Sequence, residues 1–199
     1  MDSFIIFFDF ETTGIPLWKE PSDSPDQPHI VQVAAELVDA NNREIVDQID
    51  MIVRPEGWTI TAELEALHGI SHKRAMAEGV PERRAVESIL KMRERADLRV
   101  AHNRTFDDRI QRIGLKRYFD VPEDKAPEGY DQPSDAWKDG KGFCTCQEAR
   151  KALGLKKLPT LMEAHIALLG CEFEGAHNSK FDTAACRAVY FALLDRARS

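Results

Sequence analysis

The stretch FFDFETTG, Phe7 to Gly14, decides how this chain is read. It begins as an apolar strand and ends in a turn, but Asp9 and Glu11 interrupt the apolar run. Side chains alternate along a strand, so carboxylates two residues apart point to the same side. Two like charges side by side near a core destabilise it unless solvent or a cation reaches both.

The sequence around this stretch reads as one mixed domain. Phe4 to Phe10 is apolar almost throughout, which suits a central strand covered on both faces. Residues 15–29, IPLWKEPSDSPDQPH, form a loop whose one large aromatic residue is Trp18. Ile30 to Val38 and Glu44 to Val53 are the next strands, joined by the turn DANN, and the three make an antiparallel meander. Helices follow Thr61, Ser71 and Pro81, the last with Ala85, Val86, Ile89 and Leu90 at helical spacing. Leu98 to Ala101 is a short strand, and Asn103 to Ile113 a helix that Gly114 closes. Tyr118 to Gly142 carries Pro and Gly throughout and reads as a long surface loop. FCTCQEARKALGL gives a short strand and a helix, Thr160 and Glu163 form a capping box, and the last helix spans Ser179 to Ala197. The expectation is an α/β fold, a mixed sheet with helices on both faces, in a single domain over residues 1–199.

Composition narrows the class. The chain has 199 residues, 43% hydrophobic and 31% charged, as in an ordinary globule. A net charge of -7 argues against a tight, sequence-specific DNA binder but not against a nucleic-acid enzyme, because divalent metal offsets carboxylates locally. Cys144 and Cys146 form C-x-C, not the spacing of a zinc knuckle, and reduced thiols in a cytoplasmic protein are expected. MDSFIIFFDF lacks a basic start and reads as a strand rather than a secretory leader, and no segment of membrane-spanning length is free of charge, so no membrane partner is expected.

Two further acids resemble Asp9 and Glu11 in placement. Asp107 in AHNRTFDDRI and Asp182 in GAHNSKFDTAAC each stand one turn into a helix. Alone, such an acid complements the helix dipole, and Asp9 and Glu11 alone could be a solvated strand end. Together the four could ligate two divalent ions about 3.5–4 Å apart, as in phosphoryl transfer. His177, five residues before Asp182, could take a proton from the attacking water.

The chain resembles the DEDDh-type 3'-5' exonucleases, the family of DNA polymerase proofreading subunits with a ribonuclease H-like fold. Its D-x-E-T-T-G motif is matched by Asp9, Glu11, Thr12, Thr13 and Gly14. Asp107 follows His102, Asn103 and Phe106 in H-N-x-x-F, and His177 and Asp182 match H-x4-D. HGI recurs at His68, Gly69 and Ile70.

The resemblance implies that Asp9 bridges two Mg2+ or Mn2+ ions, that Glu11 and Asp182 hold the ion that activates water, and that Asp107 holds the second. His177 is then the general base, and the backbone of Thr12, Thr13 and Gly14 meets the terminal nucleotide. Phe106 serves either a base or the core, and His68 either the nucleotide or its own turn. His102 is expected to bond locally, and Asp108 to face elsewhere. The implied activity is 3'-5' hydrolysis of DNA from single-stranded or frayed ends, releasing nucleoside 5'-monophosphates. An exoribonuclease acting on short or structured RNA is the alternative. The partner is a nucleic-acid 3' end, and non-covalent association with a DNA polymerase is compatible with the length. Three departures bear on substrate choice: the long segment after Gly14, the long 118–142 stretch, and Thr145 between two cysteines where relatives carry an Asp-Thr pair.

Overall fold

The computed structural model describes residues 3–122, 124–138 and 141–198. Met1, Asp2 and Ser199, and Glu123, Asp139 and Gly140 of the long connection, lie outside the described residues. Five strands, β1 (Phe4–Thr12), β2 (Ile30–Asp39), β3 (Ile45–Ile52), β4 (Leu98–Ala101) and β5 (Gly142–Cys144), form one sheet in the order β3-β2-β1-β4-β5. The first three are antiparallel, as the meander predicts, while β4 pairs parallel with β1 and β5 parallel with β4. The helices are α1 (Ala62–His68), α2 (His72–Glu78), α3 (Glu82–Glu94), α4 (Arg104–Tyr118), α5 (Thr145–Ala152), α6 (Leu161–Leu169) and α7 (Ser179–Arg198).

The central position of β1 follows from its composition. Ile6, Phe8 and Phe10 enter a core with α3 and α4, while Ile5 and Phe7 meet Tyr190 and Phe191 of α7 on the other face. A strand apolar on both sides needs cover on both, and the helices supply it. Alanines 149 and 164 seat α5 and α6 against Val189 and Leu193 of α7. Caps agree with the sequence reading. Thr160 and Glu163 exchange both bonds of a capping box, and Gly69 ends α1 in the left-handed region at φ 72°.

Two expectations are corrected. Gly114 does not close α4, which continues to Tyr118 and ends where the Phe119 and Asp120 N–H groups donate to the Leu115 carbonyl. Gly114 lies instead on the buried face, where absence of a side chain lets α4 approach Val86 of α3. The 118–142 stretch is not simply a surface loop. Its Asp135–Trp137 turn buries Trp137 completely, edge-on to Phe8 with ring centroids 5.5 Å apart. The Asp120 carboxylate holds this segment by accepting from the Ser134 N–H at 3.0 Å and hydroxyl at 2.6 Å.

The 15–29 segment is also tied down. The Gln27 amide donates to the Leu17 carbonyl at 3.1 Å and accepts from its N–H at 3.0 Å. At its far end the buried Glu82 carboxylate accepts from the Ile30 N–H at 2.8 Å, the Tyr118 hydroxyl at 2.7 Å and Arg117 at 3.2 Å. Burial opposes ionisation of Glu82, but bonds from His29, Arg117 and Ile30 hold its carboxyl below the usual range.

A Cβ added to Gly114 would stand 2.5 Å from Val86 Cγ2. Gly114→Ala is therefore expected to cost about 1–3 kcal/mol through overpacking, read as a lower urea midpoint, although alanine is the better helix former. An unchanged or raised midpoint would show that α3 and α4 separate freely.

Candidate active site

Alternation along β1 sets the site. The odd-numbered Ile5 and Phe7 face α7, so Asp9 and Glu11 face the same way at the strand's end. The first turn of α7 sends Asp182 to meet them. One carboxylate oxygen from each of Asp9, Glu11 and Asp182 lies within 4.8 Å of the other two. Among the described residues this is the grouping suited to a metal ion, and no cysteine joins it.

The start of α7 is fixed against β2. The Ser179 N–H donates to Gln32 Oε1 at 3.3 Å, its hydroxyl reaches the Gln32 carbonyl at 3.5 Å, and the Thr183 hydroxyl donates to the Ala34 carbonyl at 3.3 Å. Gln32 stands opposite Glu11 in the sheet and is buried. Its own amide donates to Asp50 at 2.8 Å and to Asn178 at 3.4 Å. Sequence reasoning missed this positioning residue. The signal was a lone amide inside the apolar run IVQVAAELV.

Asp107 approaches from α4, on the opposite face. It is 1% exposed, and neither carboxylate oxygen has a hydrogen-bond partner of ordinary geometry. Burial, then the charge of Asp9, raises its pKa well above normal. Burial also raises Asp9 well above normal, followed by the charges of Asp182 and Glu11. Glu11 is pushed up to about 7 by burial and then by Asp182. Asp182 rises to about 6 through burial, restrained by N–H groups of His177 and Asn178. No Lys or Arg relieves these four carboxylates among the described residues. Hard oxygen donors, desolvated and short of positive charge, fit a divalent cation. Asp9 is the acid that interacts with both Asp107 and the Glu11–Asp182 pair.

His177 is exposed, and its backbone adopts the left-handed conformation at φ 66°. Its N–H donates to Asp182 Oδ2 at 2.9 Å, so the histidine just ahead of α7 is tied to the acid in the helix's first turn. Thr12 and Thr13 shape the turn: the Thr12 hydroxyl donates to the Gly14 carbonyl at 2.7 Å, and Thr13 Oγ1 accepts the His29 N–H at 3.0 Å. His68 is buried at the end of α1, its Nδ1 accepting from the Ile70 N–H at 3.1 Å. Phe106 is half-buried against the α3–α4 core. His102 bonds locally, to Thr145 Oγ1 at 2.9 Å and the Pro159 carbonyl at 3.1 Å. Asp108 turns away from the acids, to Arg99 at 3.0 Å and Arg104 at 2.5 Å.

The family model RNase_T, described as "Exonuclease", matches residues 6–189. The chain belongs to the DEDDh-type 3'-5' exonuclease family. Solved structures of similar fold are those of exonuclease I. One, interpreted in terms of how processivity is achieved, has a TM-score of 0.74 at 21% identity over 98% of this chain and 42% of its own. A zinc-bound complex of E. coli exonuclease I with ssDNA has a TM-score of 0.70 at 21% identity, covering 100% and 41%. E. coli exonuclease I with a dA16 oligonucleotide has 0.73 at 20%, covering 98% and 42%. This exonuclease chain thus spans about two fifths of the length of those proteins, and the likeness establishes the ribonuclease H-like fold. No curated protein matches by sequence. No described helix is long and apolar enough to cross a membrane.

The raised carboxyls give a stability prediction with a definite sign. A folded-state pKa above the unfolded value means the native chain binds the extra proton, so metal-free stability falls as pH rises through the window from about 4.3 in the unfolded chain to about 7 for Glu11. Glu11→Gln is expected to raise the melting temperature of the chelated protein at pH 8 by about 2–4 °C, the shift produced by 1 kcal/mol in a chain of this size. The gain should fade below pH 4.5, where both chains carry a neutral group at position 11, and should reverse with excess magnesium. Scanning calorimetry across pH, with and without chelator, checks this.

Proposed function

We propose that residues 1–199 act as one metal-dependent exonuclease domain that hydrolyses DNA from the 3' end, prefers single-stranded or frayed ends and releases nucleoside 5'-monophosphates. The observation that carries the reading is the convergence of Asp9, Glu11 and Asp182 within 4.8 Å, with buried Asp107 beside Asp9. Family membership supports hydrolysis, and the oligonucleotide complexes of exonuclease I support single-stranded DNA as the substrate.

In this reading Glu11 and Asp182 would hold one Mg2+ or Mn2+ ion and Asp107 a second, with Asp9 contributing to each. Bound there, such ions would offset negative charge on the phosphate and lower the pKa of a water. The remaining work falls to the chain. His177, whose backbone N–H donates to Asp182 at 2.9 Å, would take a proton from the attacking water. An exposed ring at that position can pass the proton on to solvent. The turn braced by Thr12 and Thr13 presents backbone through Gly14 to the terminal nucleotide, with Phe106 and His68 supporting its walls. A paired terminal nucleotide must separate to reach these acids, which costs a few kcal/mol and favours frayed or single strands.

Hydrolysis of 5'-labelled DNA and RNA oligomers by the purified protein tests this. Chelation is expected to abolish cleavage, and magnesium or manganese to restore it. A blocked 3' end should resist. Cleavage of closed circular DNA as fast as linear DNA, or activity surviving full chelation, would refute the reading. RNA cleaved in preference to DNA would reassign the substrate. His177→Ala should lower the single-turnover rate about 10²–10⁴-fold while keeping metal affinity, with partial rescue by imidazole. Asp182→Ala should lose both rate and metal affinity.

A further inference from the structure

A second cleft, of about 320 Å3, lies between the 15–29 segment, α4 and the Asp135–Trp137 turn. Its lining carries four cations, Arg104, Arg109, Arg112 and Lys138, with the exposed Trp18 and the otherwise buried Trp137. The helix explains the arrangement. Thr105, Asp108, Arg109 and Arg112 stand at spacings of three and four residues and so share one face of α4. Asp107, Ile110, Gln111 and Gly114 occupy the buried face. One helix therefore offers a carboxylate to the acid cluster and guanidiniums to this cleft.

The positive charge is only partly compensated. Asp108, the acid of the lining, is engaged by Arg99 at 3.0 Å and Arg104 at 2.5 Å, and Lys138 pairs with Asp135 at 2.5 Å. Arg109 and Arg112 make no ion pair among the described residues, and the Nε of each is buried without a hydrogen-bond partner. Arg109 reaches one acceptor, the Glu20 carbonyl at 2.5 Å. Burial and the neighbouring charge of Arg112 both disfavour its protonated form. Two guanidiniums without a salt-bridge partner among the described residues, held together in a chain of net charge -7, need a reason. Beside them Trp18 is 53% exposed, on a segment clamped at Leu17 by Gln27.

The cleft is built on the same helix that carries Asp107. Arg109 and Arg112 follow Asp107 by two and five residues, about 3 and 7.5 Å along the helix axis, and Trp18 follows the Gly14 turn by four. A cationic groove with an exposed aromatic platform is how proteins hold single strands without regard to sequence. Guanidinium forks suit phosphate oxygens. We propose that this cleft binds single-stranded nucleic acid a few nucleotides upstream of the 3' end, with Arg109 and Arg112 on a backbone phosphate and Trp18 stacked on a base. The proposal rests on the exonuclease reading for its substrate, and binding can be measured independently of turnover.

The test is fluorescence anisotropy of labelled dT12 with the full chain in chelator, across a range of salt. Trp18→Ala removes an exposed side chain, and Arg112→Glu with Lys138→Glu reverses two charges. Each is expected to weaken binding about tenfold. The charge variant should also flatten the slope of log affinity against log salt, by about 0.7 for each phosphate it no longer neutralises. Lys91→Glu with Lys157→Glu makes the same charge change at exposed lysines outside the cleft and should have much the smaller effect. In parallel, the ratio of kcat/KM on the 12-mer to that on a dinucleotide should fall in the cleft variants. Affinity indifferent to Trp18→Ala, or reduced equally in the control pair, overturns the proposal. A labelled 12-residue poly-glutamate bound as tightly as dT12 overturns its nucleic-acid assignment. Cleft-dependent binding without metal-dependent cleavage would sink the proposed activity and leave the cleft standing; cleavage without cleft dependence would do the reverse.

Discussion

Mutual repulsion of carboxylates held out of water is the constraint on which this structure turns. Asp9, Glu11 and Asp182 cannot ionise together cheaply at such spacing, and the buried Asp107 adds to the strain from a second side. Nothing in the cluster itself favours its assembly. The surrounding fold imposes it, and much of the bonding near the site serves to hold groups together that would otherwise separate.

That role is visible in the way the two ends of the cluster are anchored. β1 is trapped at the centre of the sheet by apolar cover on both faces, so Asp9 and Glu11 cannot swing out without exposing Phe7, Phe8 and Phe10. α7 is fastened by its helix stripe, Cys186, Tyr190 and Phe191, and at its start by bonds from Ser179 and Thr183 to β2. Gln32 links these: a neutral amide at a buried position supplies both donors and acceptors without adding charge to a site already overloaded with one sign. A carboxylate there would compound the repulsion.

The alternation in FFDFETTG, the order of the motifs and the capping signals made the sheet, most helices and the acid cluster legible before any coordinates. These are local or periodic signals. What escaped was non-local. Gly114 looked like a helix terminator because glycine often is one; only its contact with Val86 shows that α3 needs the space. Trp137 sat among prolines, glycines and charges, and no periodicity announces a single indole that crosses from a connection into the core. Gln32 is the lone amide in a largely apolar strand. Its importance depends on Ser179 and Asn178, which stand 147 and 146 residues away. The basic face of α4 was written in the spacing of Arg109 and Arg112, but the neighbours that make it a cleft come from two separate connections.

The pairing of Asp9 with Asp182 also dictates when a nascent chain can acquire its chemistry. β1, carrying two of the clustered acids, precedes the helix that completes the cluster by four other strands and six other α-helices among the described residues. A partly synthesised chain therefore contains the DFE sequence without a complete ligand cage, and a message fragment ending before α7 encodes no such cage at all. The cage therefore belongs to the completed tertiary structure and to neither sequence segment alone.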